Sequence, residues 1–342
     1  MDALVRNTLK VSAIVVGIVS LLLAVWFYSD FALLLFGGIL WGLGLTGIAR
    51  YASTLSRIPY AAALTASLVL LVVLLALTGW YIGPKITEGV LELRSMLPQV
   101  LEELKSQVRH IGLLHELSSR LSGAGTSLVG TEAFRQIAGI FSTTLGILTA
   151  GVFVLITGIY IAVKPDVYRK GILHLVTPGK REQAQEVLSE LAHALRWWLL
   201  GRLLALAVVG GLTWIGLLML GIPSAITLAF VAAVLSFIPN IGPLLSVMPA
   251  ALVGWSVGPA MALWVILLYA AIQAVESYLI TPMVQQSNLS IPPALLLAAQ
   301  FLLGLMFGIL GLLLATPLLV VAMVLVRMLY IRNVLKDPIS LP

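Results

Sequence analysis

Apolar residues run in long unbroken blocks along this chain, at about 11–28, 31–49, 60–83, 137–163 and 198–220. Each block is long enough to cross the hydrocarbon of a bilayer as a helix, which takes roughly 20 residues. A sixth block at 259–282 lies between Pro259 and Pro282, and two longer ones, 222–256 and 291–329, are broken near the middle by Pro or Gly. Arg6 and Lys10 precede the first block as in a signal peptide, but it is followed by Trp26-Phe27-Tyr28-Ser29-Asp30 and not by a small-residue cleavage site, so it reads as a retained anchor. The pattern predicts an all-α polytopic membrane protein. It has about six full transmembrane helices plus two broken helical hairpins, which read as re-entrant and as an inverted repeat. Its expected organisation is three transmembrane helices in 1–83, an extracytoplasmic helical insertion at 84–136, a helix at 137–163 and a cytoplasmic helical connection at 164–197. A transmembrane core at 198–329, with hairpins 222–256 and 291–329 around helix 259–282, and a cytoplasmic tail at 330–342 complete it.

Composition agrees: 60% of residues are hydrophobic, 10% are charged, and mean hydropathy is +1.08. The net charge of +6 acts here as a topology signal and not as a nucleic-acid footprint. Arg6 and Lys10, Arg50 and Arg57, the basic majority of 164–202, and Arg327, Arg332 and Lys336 all fall on one side, predicted to be the cytoplasm. Both termini are therefore expected there. Trp197 and Trp198 beside Arg196 read as an interfacial belt. With no cysteine, and with His110, His115, His174 and His193 all in polar segments, no cofactor and no metal site is expected.

The insertion at 84–136 balances six basic residues with six acids. Val100, Leu101, Leu104, Val108, Ile111, Leu114 and Leu117 recur in it at helical spacing, which predicts a small helical structure with breaks at Pro84 and Pro98.

The broken blocks resemble each other. Ile222-Pro223-Ser224-Ala225 with Leu228-Ala229 returns 69 positions on as Ile291-Pro292-Pro293-Ala294 with Leu297-Ala298, and the same shift carries Gly242 onto Gly311. Each break, Phe237-Ile238-Pro239-Asn240-Ile241-Gly242-Pro243 and Phe307-Gly308-Ile309-Leu310-Gly311, has the Pro and Gly that suit a hairpin tip. Unpaired backbone at membrane depth is tolerated only where protein buries it or water reaches it, and paired broken segments point to a transport site.

From residue 203 to residue 326 the chain carries one charged side chain, Glu276. An ionised carboxylate at the bilayer centre costs about 2.5–3.5 kcal/mol on insertion scales, so it requires a partner or a task. Gln273, Glu276 and Ser277 share one helical stripe expected to face the hairpins. They are the candidate ion-coupling residues, with Asn240 at the first tip and Gln300 in the second hairpin. Pro239, Gly242, Pro243, Gly308, Gly311 and Pro282 are candidate hinge or gating positions. Gly38-xxx-Gly42 and Gly304-xxx-Gly308 have helix-packing spacing. A phosphate-cradling loop is absent, and no nucleophile stands with an activating base, so an ATP-driven pump and an enzyme are disfavoured. A gradient-coupled transporter leads; an oligomeric passive channel or a structural membrane protein is the alternative.

The first tip, Glu276-Ser277-Tyr278-Leu279-Ile280-Thr281-Pro282, and Gln300 with Gly304 leading to Gly308-Ile309-Leu310-Gly311 and Ala315-Thr316-Pro317-Leu318 together resemble the AI-2E (autoinducer-2 exporter) family of transporters. The likeness covers the whole chain and is most specific in its C-terminal half. It implies a secondary transporter of the bacterial inner membrane, with the lipid bilayer, a small polar solute and H⁺ or Na⁺ as partners. It also implies a homo-oligomer, with a pentamer as one form. Members are linked to autoinducer-2 export in quorum sensing or to sodium(lithium)/proton antiport. Gln285-Gln286 departs from the pattern, which tends to carry a glycine there.

Overall fold

The computed structural model describes residues 28–110, 144–280, 291–332 and 334. The first apolar block, the insertion from residue 111 onward, and Thr281, Pro282 and Gln285-Gln286 lie outside the described residues. Among the described residues every regular element is helical: α1 Ser29–Ser56, α2 Tyr60–His110, α3 Thr144–Val163, α4 Pro165–His174, α5 Arg181–Met219, α6 Ala225–Leu235, α7 Ile241–Val257, α8 Pro259–Val275 and α9 Pro293–Leu325. One wide π turn, Glu276–Ile280, continues α8, and another, Val326–Ile331, continues α9. The protein is an all-α polytopic membrane protein. Five described helices are long and apolar enough to cross a membrane, or six if α3 and α4 are counted as one bent span.

Two helices run far beyond the hydropathy blocks within them. α2 has 51 residues and passes through Pro84 and Pro98 without ending, so the expected breaks there are not observed. Each proline removes one i→i−4 bond, and flanking turns of good helix formers carry the helix across. At about 76 Å it far exceeds the roughly 30 Å of hydrocarbon. α5 likewise joins the polar connection to the fifth apolar block in one helix of 39 residues.

The chain divides into two compact units. One comprises residues 1–46, 152–195 and 291–340. Here α1 lies on α3 through glycines: a Cβ on Gly38 would stand 2.7 Å from Thr157, and one on Gly42 would stand 2.9 Å from the Gly158 carbonyl oxygen. Gly38-xxx-Gly42 is thus a close-packing seam. α3 ends at Lys164-Pro165, where the chain bends by 85° into α4, a short helix with no buried residue. α9 is not one straight rod. Gly308 has φ 59° and ψ −140°, outside helical space, and a Cβ on Gly311 would lie 2.0 Å from the Leu303 carbonyl oxygen. Residues eight apart in a straight helix are about 12 Å apart along its axis. The contact therefore means that the chain folds back at Gly308 into two arms, and Gly304 facing Leu312 at 3.5 Å continues the pairing. Gly308, which the sequence places both in the second hairpin tip and in the Gly304-xxx-Gly308 packing spacing, forms the turn.

The other unit comprises residues 47–151, 196–290 and 341–342. α6 and α7 form its hairpin, turned by Ser236–Asn240. Asn240 sits at φ 66°, the Ile238 N–H donates to Leu235 O at 2.9 Å, and the Gly242 N–H donates to Ile238 O at 3.0 Å. A Cβ on Gly242 would lie 1.8 Å from the Leu235 carbonyl oxygen, so both hairpins close by seating a glycine on the carbonyl of the opposite arm. The core beneath this hairpin gathers Leu217, Ile222, Ala225, Leu228, Ala250, Val253, Val265 and Tyr269 from α5 to α8. At its base Thr227 donates to the Lys85 carbonyl of α2 at 3.0 Å, and Gly89 leaves room for that hydroxyl.

Candidate functional site

Glu276 lies where α8 gives way to the wide turn Glu276–Ile280. Such π turns displace the following side chains from the helical register and occur at functional sites. The Glu276 side chain is 6% exposed, and its Oε1 accepts from Arg202 Nη1 at 3.0 Å; the Arg202 side chain is 11% exposed. The same guanidinium donates through Nε to the Phe237 carbonyl oxygen at 3.1 Å. One turn before Arg202 on α5, the Trp198 ring meets the Phe237 ring edge-on, with centroids 5.8 Å apart. α5 therefore grips the first hairpin tip twice, at the Phe237 ring and at its main chain, and ties that grip to the membrane acid. Arg202 Nη2 is buried and has no hydrogen bond among the described residues.

The physical logic is charge neutralisation. A buried carboxylate and a buried guanidinium are tolerable together and very costly apart. The Phe237 carbonyl, freed from a helical partner by the turn, offers the guanidinium a second acceptor.

The predicted stripe divides. Glu276 turns inward to Arg202, while Gln273 donates to Ser277 Oγ at 3.2 Å on the outer side, where Ser277 is exposed. The expectation that the whole stripe faces a hairpin thus holds for Glu276 alone. Asn240 is exposed and supplies the positive-φ residue of the tip. Pro239 lies in the turn, and the Pro243 carbonyl accepts from Ser246 Oγ at 2.9 Å in the first part of α7. Gln300 belongs to the other unit, fully buried on the first arm of the second hairpin. Pro282 lies outside the described residues.

Arg202 is the residue that sequence reasoning missed, having been assigned to the basic cytoplasmic connection. A signal was present: it follows Trp198 by one turn and is the last charge before the uncharged stretch, already inside the fifth apolar block.

Residues 15–331 match the AI-2E family transporter description. The chain belongs to the AI-2E transporter family. Its relatives include three proteins whose names read "Putative transport protein". YueF of Bacillus subtilis is 27% identical over 274 residues, covering 76% of this chain and 74% of that one. BpOF4_00890 of Alkalihalophilus pseudofirmus is 23% identical over 327 residues, covering 90% and 84%. A Thermotoga maritima relative of the same description is 25% identical over 222 residues, covering 64% and 68%. This AI-2E member is accordingly a multi-pass membrane transporter, and the family match takes in the Arg202–Glu276 pair and both hairpins.

Proposed function

We propose that the chain is a secondary transporter that couples solute movement to a cation gradient through Glu276. It either exports a small polar, autoinducer-2-like solute or exchanges Na⁺ or Li⁺ for H⁺. One observation carries the reading: the buried pair Glu276–Arg202 also holds the Phe237 carbonyl, so the charge state of the acid is linked to the hairpin tip. When Glu276 takes a proton, the guanidinium loses its counter-charge and is no longer fixed against the tip by the ion pair. When the acid is ionised, pair and grip return. The tip residues Pro239, Gly242 and Pro243, and Gly308 and Gly311 in the second hairpin, then act as hinges of two gates. Gln273, Ser277 and Asn240 are the polar groups that the unit of the pair offers to the solute, and Gln300 is a candidate of the second hairpin taken by itself.

Arm length supports a re-entrant arrangement. α6 is about 16 Å long and α7 about 25 Å, short of the roughly 30 Å needed to cross. Their tip meets α5 at Arg202, one turn inside the Trp197-Trp198 belt. The positive-inside bias supports an inner-membrane protein with both termini in the cytoplasm, and the family resemblance supports a homo-oligomer, a pentamer among its forms.

The test is ion-gradient-driven flux in proteoliposomes with a pH-sensitive dye inside, using autoinducer-2 and Na⁺ as solutes. Coupled flux in the wild type is expected to fall to the level of empty liposomes in Glu276→Gln. Unchanged flux in that variant would make the acid structural, and conductance without coupling would favour the passive channel.

A further inference from the structure

Two arginines in the unit of residues 47–151 and 196–290 stand outside the coupling pair. The stem of Arg196, from α5, is laid flat on Gly47 of α1: a Cβ at Gly47 would stand 2.5 Å from Arg196 Cδ and 2.9 Å from its Cγ and Nε. Held there, Arg196 Nε is buried and has no hydrogen-bond partner among the described residues. Arg50 follows Gly47 by three positions, so it lies on the same face of α1 one turn on, and it is exposed. Among the described residues the charge of Arg50 acts on Arg196, and so does Tyr60, the first residue of α2. The two cations repel each other and receive no carboxylate from these neighbours.

A buried N–H of a guanidinium without an acceptor is costly, and a second cation beside it adds to the cost. Both costs are removed by one ligand chemistry, an oxyanion with several acceptor oxygens, and the planar guanidinium fork fits phosphate oxygens two at a time. Aromatic neighbours set the depth. Tyr51 follows Arg50 and Trp197 follows Arg196, and both are exposed, at 70% and 49%. Tyr and Trp concentrate at the headgroup layer, where basic pockets between helices take anionic lipid headgroups. We propose that Arg196 Nε and the Arg50 guanidinium form a phosphate-oxyanion site where α1, α2 and α5 converge. Its occupant at that depth is the headgroup of an anionic phospholipid.

Native mass spectrometry of the full chain in detergent tests this, with phosphatidylglycerol, phosphatidylethanolamine and inorganic phosphate as separate probes. The wild type should retain phosphatidylglycerol through activation energies that strip phosphatidylethanolamine. Because a hydrogen bond to a charged group contributes about 1.5–3 kcal/mol, Arg196→Gln and Arg50→Gln should each weaken that binding at least about tenfold. Arg196→Lys, which keeps the charge and loses the fork, should fall between, and Lys170→Gln, an exposed cation of the other unit, should change nothing. Arg50 is exposed, so its variant keeps the test decisive even if Arg196→Gln fails to assemble. Binding of inorganic phosphate that depends on both arginines would assign the same site to a soluble ligand. Binding of both probes that is unchanged in both Gln variants, or equally weakened by Lys170→Gln, overturns the proposal.

Discussion

At Arg202 a single guanidinium meets a carboxylate on α8 and a main-chain carbonyl in the tip between α6 and α7. Removing one member of a buried pair leaves the other uncompensated, at about 3–5 kcal/mol. Arg202→Gln should therefore lower the thermal stability of the detergent-solubilised protein more than Glu276→Gln, because it also abandons the Phe237 carbonyl. The double variant Arg202→Gln/Glu276→Gln should be more stable than Arg202→Gln alone, since no bare charge remains. Additive losses in a melting series would show that the two residues are energetically independent. Glu276 was legible in the sequence because a charge in an apolar block is conspicuous. Its partner was harder to see, because a helix of 39 residues spans both connection and membrane, and Arg202 counts with the basic connection although the Trp197-Trp198 belt already places it inside the apolar block.

The hairpins depend on glycines whose missing Cβ is a geometric requirement. At Gly242 and Gly311 a methyl group would overlap a carbonyl oxygen of the opposite arm, at 1.8 and 2.0 Å. Gly242→Ala and Gly311→Ala should each open their hairpin and lower the yield of monodisperse protein in size-exclusion chromatography. Gly79→Ala, with nothing within 4 Å, should leave it unchanged. A second element-level contact joins the polar first part of α5, outside its apolar segment, to the turn after α9. Arg332 Nη1 donates to Glu186 Oε1 at 2.7 Å, and Nη2 also pairs with Oε2. The hydrogen bond from Arg332 holds the Glu186 carboxyl below its ordinary range. A lowered carboxyl pKa adds stability above the unfolded-state value, and that stability is lost as pH falls through the folded-state value. The melting-temperature gap between wild type and Arg332→Gln should thus be present at pH 7 and close in acid; a gap that persists at low pH would refute the link.

For the whole molecule, the absence of cysteine makes a labelling test clean. If the first hairpin is re-entrant as proposed, a membrane-impermeant maleimide should react slowly with Asn240→Cys and faster once Arg202→Gln is added, because the tip then loses the guanidinium bond to the Phe237 carbonyl. Fast labelling in both backgrounds would mean that the hairpin crosses completely. The sequence by itself determined the class, the apolar blocks, the membrane acid and both hairpin tips, because each is written in local composition: hydrocarbon length, a lone charge, Pro and Gly at a turn. It misjudged Pro84 and Pro98, since a proline's local cost does not reveal whether the surrounding turns outweigh it. Only the tertiary structure decided that Arg202 neutralises Glu276 across 74 positions, that the Arg196 stem lies on Gly47, and that Ser277 pairs with Gln273 on the outer side while Glu276 turns inward. Those outcomes depend on which surfaces meet after folding, and a guanidinium, a glycine and a hydroxyl carry no sequence mark of the neighbour each will find.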